Sequence, residues 1–494
     1  MKVLLINSMS DYVKEISVMP LGLLSIATYL TQNGHTVRIF DRTIERGSVN
    51  KNLKSFAPDI VGVSAISSKS FADSVKVSKI VKKKNIPIVW GGLTTSLLPE
   101  IVLESGVVDY VVIGEGEITL LALMNAIVEK TSLREVDGIV FIENGEIVIN
   151  KEREPIELSQ LPIIDFSFID PRKYIVTNVS NKRVLHTYSS KGCPCQCTYC
   201  YNPAFCKGLW RARPPEYYLS EIKYLIEQFK IDCIYFIDDL LSSNKEYTIH
   251  ICNKIIESGL DFVWGCDMRA DICTKEELLT MYNAGCRWIF FGIESGSERM
   301  QKIIKKRLNL EKAKETIDFC TEIGIVTTTS FIAGFPDETE EDFKKTIEFA
   351  QGLNSDVKIA FSFGPIPRSE IYDNLIDSKK LSSPKSYNEF VNLKWFDSFG
   401  KNYSEVPTKD FKVIISYFFL SIISKKHNIE NSKKRIWFKR LFKQALYIIK
   451  RGNIKALYSV LLCVKELVEI EFYATMFPKI RKKYGLIKNK KKAD

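Results

Sequence analysis

The stretch KGCPCQCTYCYN, residues 191–202, holds four of the twelve cysteines of a 494-residue chain. Cys193, Cys197 and Cys200 follow a C-x3-C-x2-C spacing, which can turn three thiolates toward one centre and leave a metal position open. Structural zinc usually takes four protein ligands, and no histidine lies nearby. Cys195 could be a fourth ligand, although its place between two others makes a tetrahedral site cramped. The stretch therefore indicates an open metal centre, with a closed zinc site as the alternative.

This cysteine stretch follows the first strand of a repeated strand–helix pattern. Helix patterns at 215–230 and 312–324 separate some of the strands. Six units are too few for a closed eight-unit barrel and favour an open, partial (βα)6 barrel, with its active face at the carboxyl ends of the strands. The six expected strands are VLHTYSS (184–190), CIYFIDD (233–239), FVWGCDMRA (262–270), WIFFGIES (288–295), VTTTSFIAGFP (326–336) and VKIAFSFGPIP (357–367).

The first 150 residues show an earlier series of the same kind, so the chain is of the α/β class. Helix patterns cover 21–34 and 68–85, and ENGEIVIN (143–150) predicts a hairpin at Asn144 and Gly145. Such units predict a doubly wound, flavodoxin- or Rossmann-like parallel sheet with its ligand beyond the carboxyl ends of the strands. The five expected strands lie at 2–8, 36–41, 59–65, 87–92 and 109–116.

Composition sets the remaining boundaries. We expect a domain at 1–150, a linker at 151–183, a partial barrel at 184–400 and a basic helical region at 401–494. Residues 421–494 hold 20 of the 70 Lys and Arg residues but 5 of the 59 Asp and Glu residues, so this end accounts for the net charge of +11. The usual nucleic-acid-binding motifs are missing, so we expect no nucleic-acid partner.

The same composition bears on location. No secretory leader pattern opens the chain and its apolar runs are short, which favours a cytoplasmic protein without a transmembrane helix. Reduced cytoplasmic thiols argue for metal ligation or buried thiols rather than a disulfide framework. The remaining cysteines show no paired spacing, so a second cluster is not expected.

The cysteine loop and the strands after it resemble the radical S-adenosylmethionine (SAM) superfamily over residues 184–370. This resemblance implies that Cys193, Cys197 and Cys200 hold a [4Fe–4S] cluster whose open iron binds SAM. It also implies that Tyr199 belongs to the cofactor-binding loop. Cys195 and Cys206 have no role by this resemblance.

Later strand ends carry further similarities to that superfamily. The resemblance implies that Glu294 in GIES and Arg269 in DMRAD contact SAM, and that Gly334 in IAGFP lies against its adenine. The alternative for the two charged residues is a salt bridge inside the barrel. Two carboxylates in IDD (237–239) have no assignable role, and PIPRSE with Arg368 departs from the superfamily pattern.

The N-terminal segments PLGLLSIATYL (20–30), GGLTTSLLPE (91–100) and VDYVVIGEGE (108–117) resemble the cobalamin-binding domain that precedes some radical SAM domains. The histidine that often follows the paired glycines is Thr94 or Thr95 here, so a lower-face histidine ligand is not expected. A domain retained without cofactor is the alternative. The resemblance implies cofactor contacts at Ser64, Gly91, Gly92, Thr94, Gly114, Glu115 and Gly116.

Together these resemblances imply a cobalamin-dependent radical SAM enzyme. The expected reaction is methylation of an unactivated carbon, using a 5′-deoxyadenosyl radical and methylcobalamin. Radical cyclisation, rearrangement or carbon–carbon coupling is the alternative, and a non-catalytic metal-binding interaction protein is another. Expected partners are a small or amphiphilic substrate and an electron donor such as flavodoxin or ferredoxin. The basic, aromatic segment 433–452 allows peripheral contact with a membrane, or plain packing.

Overall fold

The computed structural model describes residues 1–9, 18–45, 47–66, 68–177, 182–392, 401–412 and 415. These residues pack as two compact units. The first comprises the described residues of Met1–Asp267, Asn283–Cys286 and Pro365–Leu393, and the second those of Met268–Tyr282, Arg287–Gly364 and Lys394–Asp494. The expected helix in 433–452 lies outside the described residues.

Sixteen strands occur in the described chain. They are β1 (Lys2–Asn7), β2 (Thr36–Asp41), β3 (Ile60–Ser64), β4 (Ile88–Gly91), β5 (Tyr110–Val112), β6 (Ile139–Glu143), β7 (Glu146–Ile149), β8 (Val176–Thr177), β9 (Arg183–Thr187), β10 (Ser190–Lys191), β11 (Arg211–Ala212), β12 (Cys233–Phe236), β13 (Val263–Met268), β14 (Cys286–Glu294), β15 (Val326–Ala333) and β16 (Val357–Ser362).

Fifteen α-helices accompany these strands in the described chain, with short 3-10 turns between some of them. They are α1 (Leu21–Gln32), α2 (Val49–Phe56), α3 (Ser68–Lys82), α4 (Leu93–Leu97), α5 (Pro99–Glu104), α6 (Gly116–Glu129), α7 (Asn202–Phe205), α8 (Pro215–Phe229), α9 (Lys245–Ser258), α10 (Lys275–Asn283), α11 (Glu298–Ile303), α12 (Leu310–Glu322), α13 (Glu340–Gly352), α14 (Glu370–Asp377) and α15 (Tyr387–Asn392).

The N-terminal sheet has seven strands in the order β2-β1-β3-β4-β5-β6-β7. Its first five strands are parallel, and β6 and β7 are antiparallel additions. The strand order reverses between β1 and β3, and doubly wound folds bind ligands at such a switch point. The hairpin at Asn144 and Gly145 is confirmed, since both residues have the positive φ that a tight β6–β7 turn requires.

The six strands predicted for the second series are all present. In the first unit β9 pairs in parallel with β12, and β12 with β13. In the second unit β14, β15 and β16 pair in parallel in chain order. The predicted α/β class, with a doubly wound sheet followed by a half barrel, is confirmed. None of the described helices is long and apolar enough to cross a bilayer.

One predicted strand is divided. The segment expected at 184–190 forms β9 and then, after a break, β10, which pairs antiparallel with β11 instead of continuing the sheet. The break has a physical reason, because Asp238 accepts hydrogen bonds from the backbone N–H groups of Ser189 and Ser190. The Asp238 carboxylate therefore accepts the hydrogen bonds that a neighbouring strand would otherwise accept from these N–H groups.

A fully buried ion pair fastens α8 to this region. Arg213 and Glu221 have side chains only 2% and 0% exposed. Arg213 also donates to the carbonyl of Tyr188 at 3.0 Å, and the N–H of Ile164 donates to Glu221 at 2.8 Å. Each charge is thus paired and further hydrogen-bonded, which is the condition under which burial of a charge is tolerated.

Replacing Glu221 with Ala should lower the free energy of unfolding by about 3–5 kcal/mol, because Arg213 is left as an unpaired buried charge. Urea unfolding followed by far-UV circular dichroism measures the change. Glu227→Ala on the exposed face of α8, where Glu227 forms a surface ion pair with Lys223 at 3.9 Å, is the matched control and should cost at most about 1 kcal/mol. Equal losses for the two variants would contradict the assignment.

Candidate functional site

The cysteine loop is closed at its base by a short ribbon. Strands β10 and β11 pair Ser190 with Ala212 and Lys191 with Arg211, and residues 192–210 form the loop between them. Gly192 begins the loop with φ of +89°, and a Cβ atom there would lie 1.9 Å from the carbonyl oxygen of Leu209. Only glycine fits this close approach, so the loop has a fixed starting direction.

The predicted cluster ligands all lie on this loop. Cys197 is buried, whereas Cys193 and Cys200 are half-buried. A hydrogen bond with Cys195 and then burial raise the pKa of Cys193. As they stand, the described residues contain no group of three or more His, Cys, Asp or Glu side chains placed to hold a metal ion. Tyr199, predicted to belong to the cofactor-binding loop, is half-buried here.

Two carboxylates after β12 hold the loop in place. Asp239 accepts from the N–H of Gly192 at 2.7 Å, and from the Tyr201 hydroxyl and the Asn202 side-chain amide at 3.0 Å each. It therefore joins the start of the loop to the residues just after Cys200. The sequence showed these carboxylates at a strand end but gave them no role.

Asp238, the other carboxylate, is buried. It accepts from the backbone and hydroxyl groups of Ser189 and Ser190, including the Ser189 hydroxyl at 2.9 Å. Burial raises the pKa of Asp238 to about 6, although these hydrogen bonds oppose the increase. Asp238 thus fixes the chain immediately before the ribbon.

Glu115 joins the N-terminal sheet to the base of the loop. Arg211 donates to its two carboxylate oxygens at 2.8 and 3.0 Å, and Lys191 lies 3.7 Å from Glu115 and 3.5 Å from Glu117. Burial alone would raise the pKa of Glu115, but the Arg211 hydrogen bonds and the Lys191 charge lower it. Glu115 was predicted as a cofactor contact; its observed partners are the two ribbon residues and the backbone N–H of Ile156 at 3.1 Å.

A cavity of about 510 Å³ lies at the carboxyl edge of the N-terminal sheet, a size common for small-molecule sites. Tyr201, Phe205 and Ile237 form part of its wall, so the loop region shares it. Thr94 is not among the lining residues; its hydroxyl donates to the carbonyl of Ile66 at 2.5 Å. The other residues predicted to contact cobalamin all line it: Ser64, Gly91, Gly92, Gly114, Glu115 and Gly116.

The cavity wall is mostly apolar, and no histidine occurs among its described lining residues. Gly92 has φ of +111°, and a Cβ there would lie 3.0 Å from the carbonyl oxygen of Ala65. Backbone packing therefore already requires this glycine, apart from any need to admit a flat ligand. Sequence reasoning missed lining residues such as Asn7, Met19 and Lys191, because no motif marks them.

The residues predicted to contact SAM lie in the second unit. Arg269 forms a paired salt bridge with Asp271, at 2.7 and 3.0 Å, and Glu294 accepts from Lys306 at 2.9 Å. These are the ion pairs of the alternative interpretation, so contact with SAM stays a prediction for both. Glu294 ends β14 with φ of +66°, a left-handed conformation that is uncommon outside glycine.

Gly334 is also in this unit, with φ of +92°. The N–H groups of Gly334 and Phe335 donate to Glu338 at 2.7 and 3.2 Å. A Cβ on Gly334 would lie 2.9 Å from the ring of Phe411. An aromatic ring of the protein therefore already occupies the open side of this glycine, and its contact with adenine stays a prediction.

Two family models match the chain in this order. The B12 binding domain matches residues 15–124, and the Radical SAM superfamily matches residues 187–350. The chain is a radical SAM enzyme with a B12-binding domain. The resemblance stated from the sequence is thus confirmed, and a non-catalytic interaction protein is not supported.

Relatives and solved structures agree with this assignment. An uncharacterized methyltransferase of Pyrococcus horikoshii is 29% identical over 441 residues, covering 88% of this chain and 92% of that protein. The anaerobic magnesium-protoporphyrin IX monomethyl ester cyclase of Rubrivivax gelatinosus is 27% identical over 375 residues, covering 74% and 67%. The methyltransferase TsrM from Kitasatospora setae, solved with cobalamin and a [4Fe–4S] cluster, has the same fold, with a TM-score of 0.69 at 17% identity over 79% of this chain and 84% of that one.

The predicted cofactors of this radical SAM enzyme follow from its two domains. The radical SAM domain implies a [4Fe–4S] cluster and SAM, and the B12-binding domain implies cobalamin. The donor chemistry on the loop fits the cluster, because three thiols lie within eight residues of a segment held at both ends. The large apolar cavity at the sheet edge fits a bulky ligand.

Replacing Asp239 with Ala should weaken cluster binding about tenfold, since residues that orient metal ligands have effects of this size. The variant loses the acceptor shared by Gly192, Tyr201 and Asn202. Iron and acid-labile sulfide per chain, measured after anaerobic reconstitution at limiting iron, report the change. Asp261→Ala, at an exposed position, is the control, and the same iron content in both variants would exclude the role.

Proposed function

We propose that this radical SAM enzyme transfers a methyl group from methylcobalamin to an unactivated carbon of a small-molecule substrate. The observation that carries the proposal lies within the first unit. Tyr201 and Phe205 of the cysteine loop, with Ile237 of the segment after β12, line the same cavity as the sheet-edge residues of the B12-binding domain. The two cofactor regions therefore face one space, as a reaction that uses both requires.

The residues of the chain have distinct tasks in this proposal. Cys193, Cys197 and Cys200 are the cluster ligands, and Cys195 stays outside the set. When bound, the cluster with SAM supplies a 5′-deoxyadenosyl radical, and cobalamin supplies the methyl group. The protein holds the loop by Asp239 and presents an apolar wall that excludes water, which protects a radical from side reactions.

Methyl transfer is favoured over the other radical reactions. A relative that covers 88% of the chain is named a methyltransferase, and a solved neighbour with cobalamin and a [4Fe–4S] cluster bound is also named a methyltransferase. The cyclase relative supports radical cyclisation as the second candidate. Product mass separates the two, because methylation adds one methylene equivalent and cyclisation does not.

Several features of the proposal rest on the sequence. We infer the domain bounds 1–150, 184–400 and 401–494, joined by the linker 151–183. The enzyme needs a reductant, for which flavodoxin or ferredoxin is our choice. A cytoplasmic location with peripheral membrane contact through residues 431–494 agrees with their basic and aromatic composition.

Replacing Cys197 with Ala should abolish both cluster assembly and 5′-deoxyadenosine formation, because two thiolates do not hold a four-iron cluster stably. Cys195→Ala on the same loop is the matched control and should retain both. Iron content, 5′-deoxyadenosine and the transfer of a deuterated methyl group from SAM to small molecules of a cell extract are measured together. Loss of iron in Cys195→Ala and its retention in Cys197→Ala would refute the ligand assignment.

A further inference from the structure

Three polar residues form a row across neighbouring strands of the first unit. In the strand register His186 of β9 lies opposite Tyr235 of β12, and Tyr235 lies opposite Gly265 of β13. Asp267 is two residues beyond Gly265. Because side chains alternate between the faces of a sheet, His186, Tyr235 and Asp267 lie on one face. All three are half-buried.

The other face of these strands is an ordinary apolar core. Ile234, Phe236 and Trp264 are buried there, and the ring of Phe236 meets Tyr218 of α8 edge to face at 6.1 Å. The helices therefore cover this face. The polar row lies on the opposite face of the sheet. Burying three hydrogen-bonding side chains in an apolar core costs free energy unless each has a partner, so this face is not an ordinary apolar core.

The row contains a hydrogen-bonding atom that has no partner among the described residues. The Tyr235 hydroxyl donates to Asp267 at 2.6 Å, whereas the buried Nδ1 of His186 has no hydrogen-bond partner among the described residues. Burial lowers the pKa of His186 to about 4, so its ring is neutral at pH 7. A carboxylate and a neutral imidazole together suit a group that donates hydrogen bonds.

The row also lies close to the cofactor cavity. Ile237, two residues after Tyr235 on the same side of the chain, is 40% exposed and lines the cavity of the B12-binding domain. Two residues of extended chain span about 7 Å. The next two residues, Asp238 and Asp239, fix the cysteine loop. Tyr235 of the polar row is therefore about 7 Å along the chain from the cavity wall at Ile237, and the residues that hold the cysteine loop follow directly.

We propose that His186, Tyr235 and Asp267 bind the substrate of the enzyme through an amine or hydroxyl group. This inference rests on the proposed function, since it assumes that the substrate lies between the cluster loop and the cavity. An amine or hydroxyl donates to the Asp267 carboxylate and fits the neutral His186 ring. A carboxylate or phosphate group would face Asp267 with like charge, so substrates that present such a group at this position are excluded.

Three probes of one shape test the preference: benzylamine, benzyl alcohol and benzoate. Ligand-observed NMR titrations with the anaerobically reconstituted full-length enzyme give their affinities. We expect benzylamine and benzyl alcohol to bind more tightly than benzoate. Asp267→Asn should reduce benzylamine affinity about tenfold or more, because a hydrogen bond to a charged partner is lost. Asp261→Asn, the same change at an exposed position, should leave affinity unaltered.

Several results would overturn the proposal. They are preferential binding of benzoate, no detectable binding of any probe, or equal benzylamine affinity in Asp267→Asn and the wild type. If Asp267→Asn does not fold, as judged by circular dichroism, His186→Gln takes its place and must weaken benzylamine binding. Formation of 5′-deoxyadenosine by the wild type tests the proposed function separately. An enzyme that forms it but does not discriminate the probes refutes the polar row alone.

Discussion

The bidentate contact of Glu115 with Arg211 is the interaction on which the site depends. Glu115 follows the last parallel strand of the N-terminal sheet, and Arg211 belongs to the ribbon that closes the cysteine loop. Both side chains are largely buried, and Lys191 adds a second cation nearby. Without Glu115, the positive charges of Arg211 and Lys191 would lose a neutralising carboxylate in a largely buried setting, which would strongly destabilise the contact between the ribbon and the sheet. The contact therefore fixes the loop against the sheet edge.

The loop has a second attachment, and the two act on different parts of it. Asp238 binds the serines before the ribbon, and Asp239 binds Gly192 and the residues after Cys200. A loop of nineteen residues without regular strands would otherwise be costly to order. These contacts hold the backbone on both sides of the candidate ligands Cys193, Cys197 and Cys200. A backbone held in this way orients thiols for a metal cluster.

Local patterns were sufficient for much of the site. The cysteine spacing, the glycines at the ends of the N-terminal strands and their order along the chain predicted both domains. Ser64 and the Gly114–Glu115–Gly116 turn were found on the cavity because carboxyl ends of parallel strands share one edge. Thr94 does not line the cavity, since its hydroxyl donates to the backbone carbonyl of Ile66, and its contact with the cofactor stays a prediction. Arg269 and Glu294 have ion-pair partners that no spacing rule reveals.

The sequence by itself determined the α/β class, the two domains and the three candidate ligands, because strand–helix alternation and cysteine spacing are local properties of the chain. Only the tertiary structure decided that Glu115 pairs with Arg211, that Asp238 interrupts a predicted strand, and that Ile237 reaches the cavity. The first two contacts join residues 96 and 48 positions apart in the chain, and they depend on which strands become neighbours. Hydrogen bonds and ion pairs act over a few ångströms in space, and the number of residues between two positions does not predict the distance between their side chains.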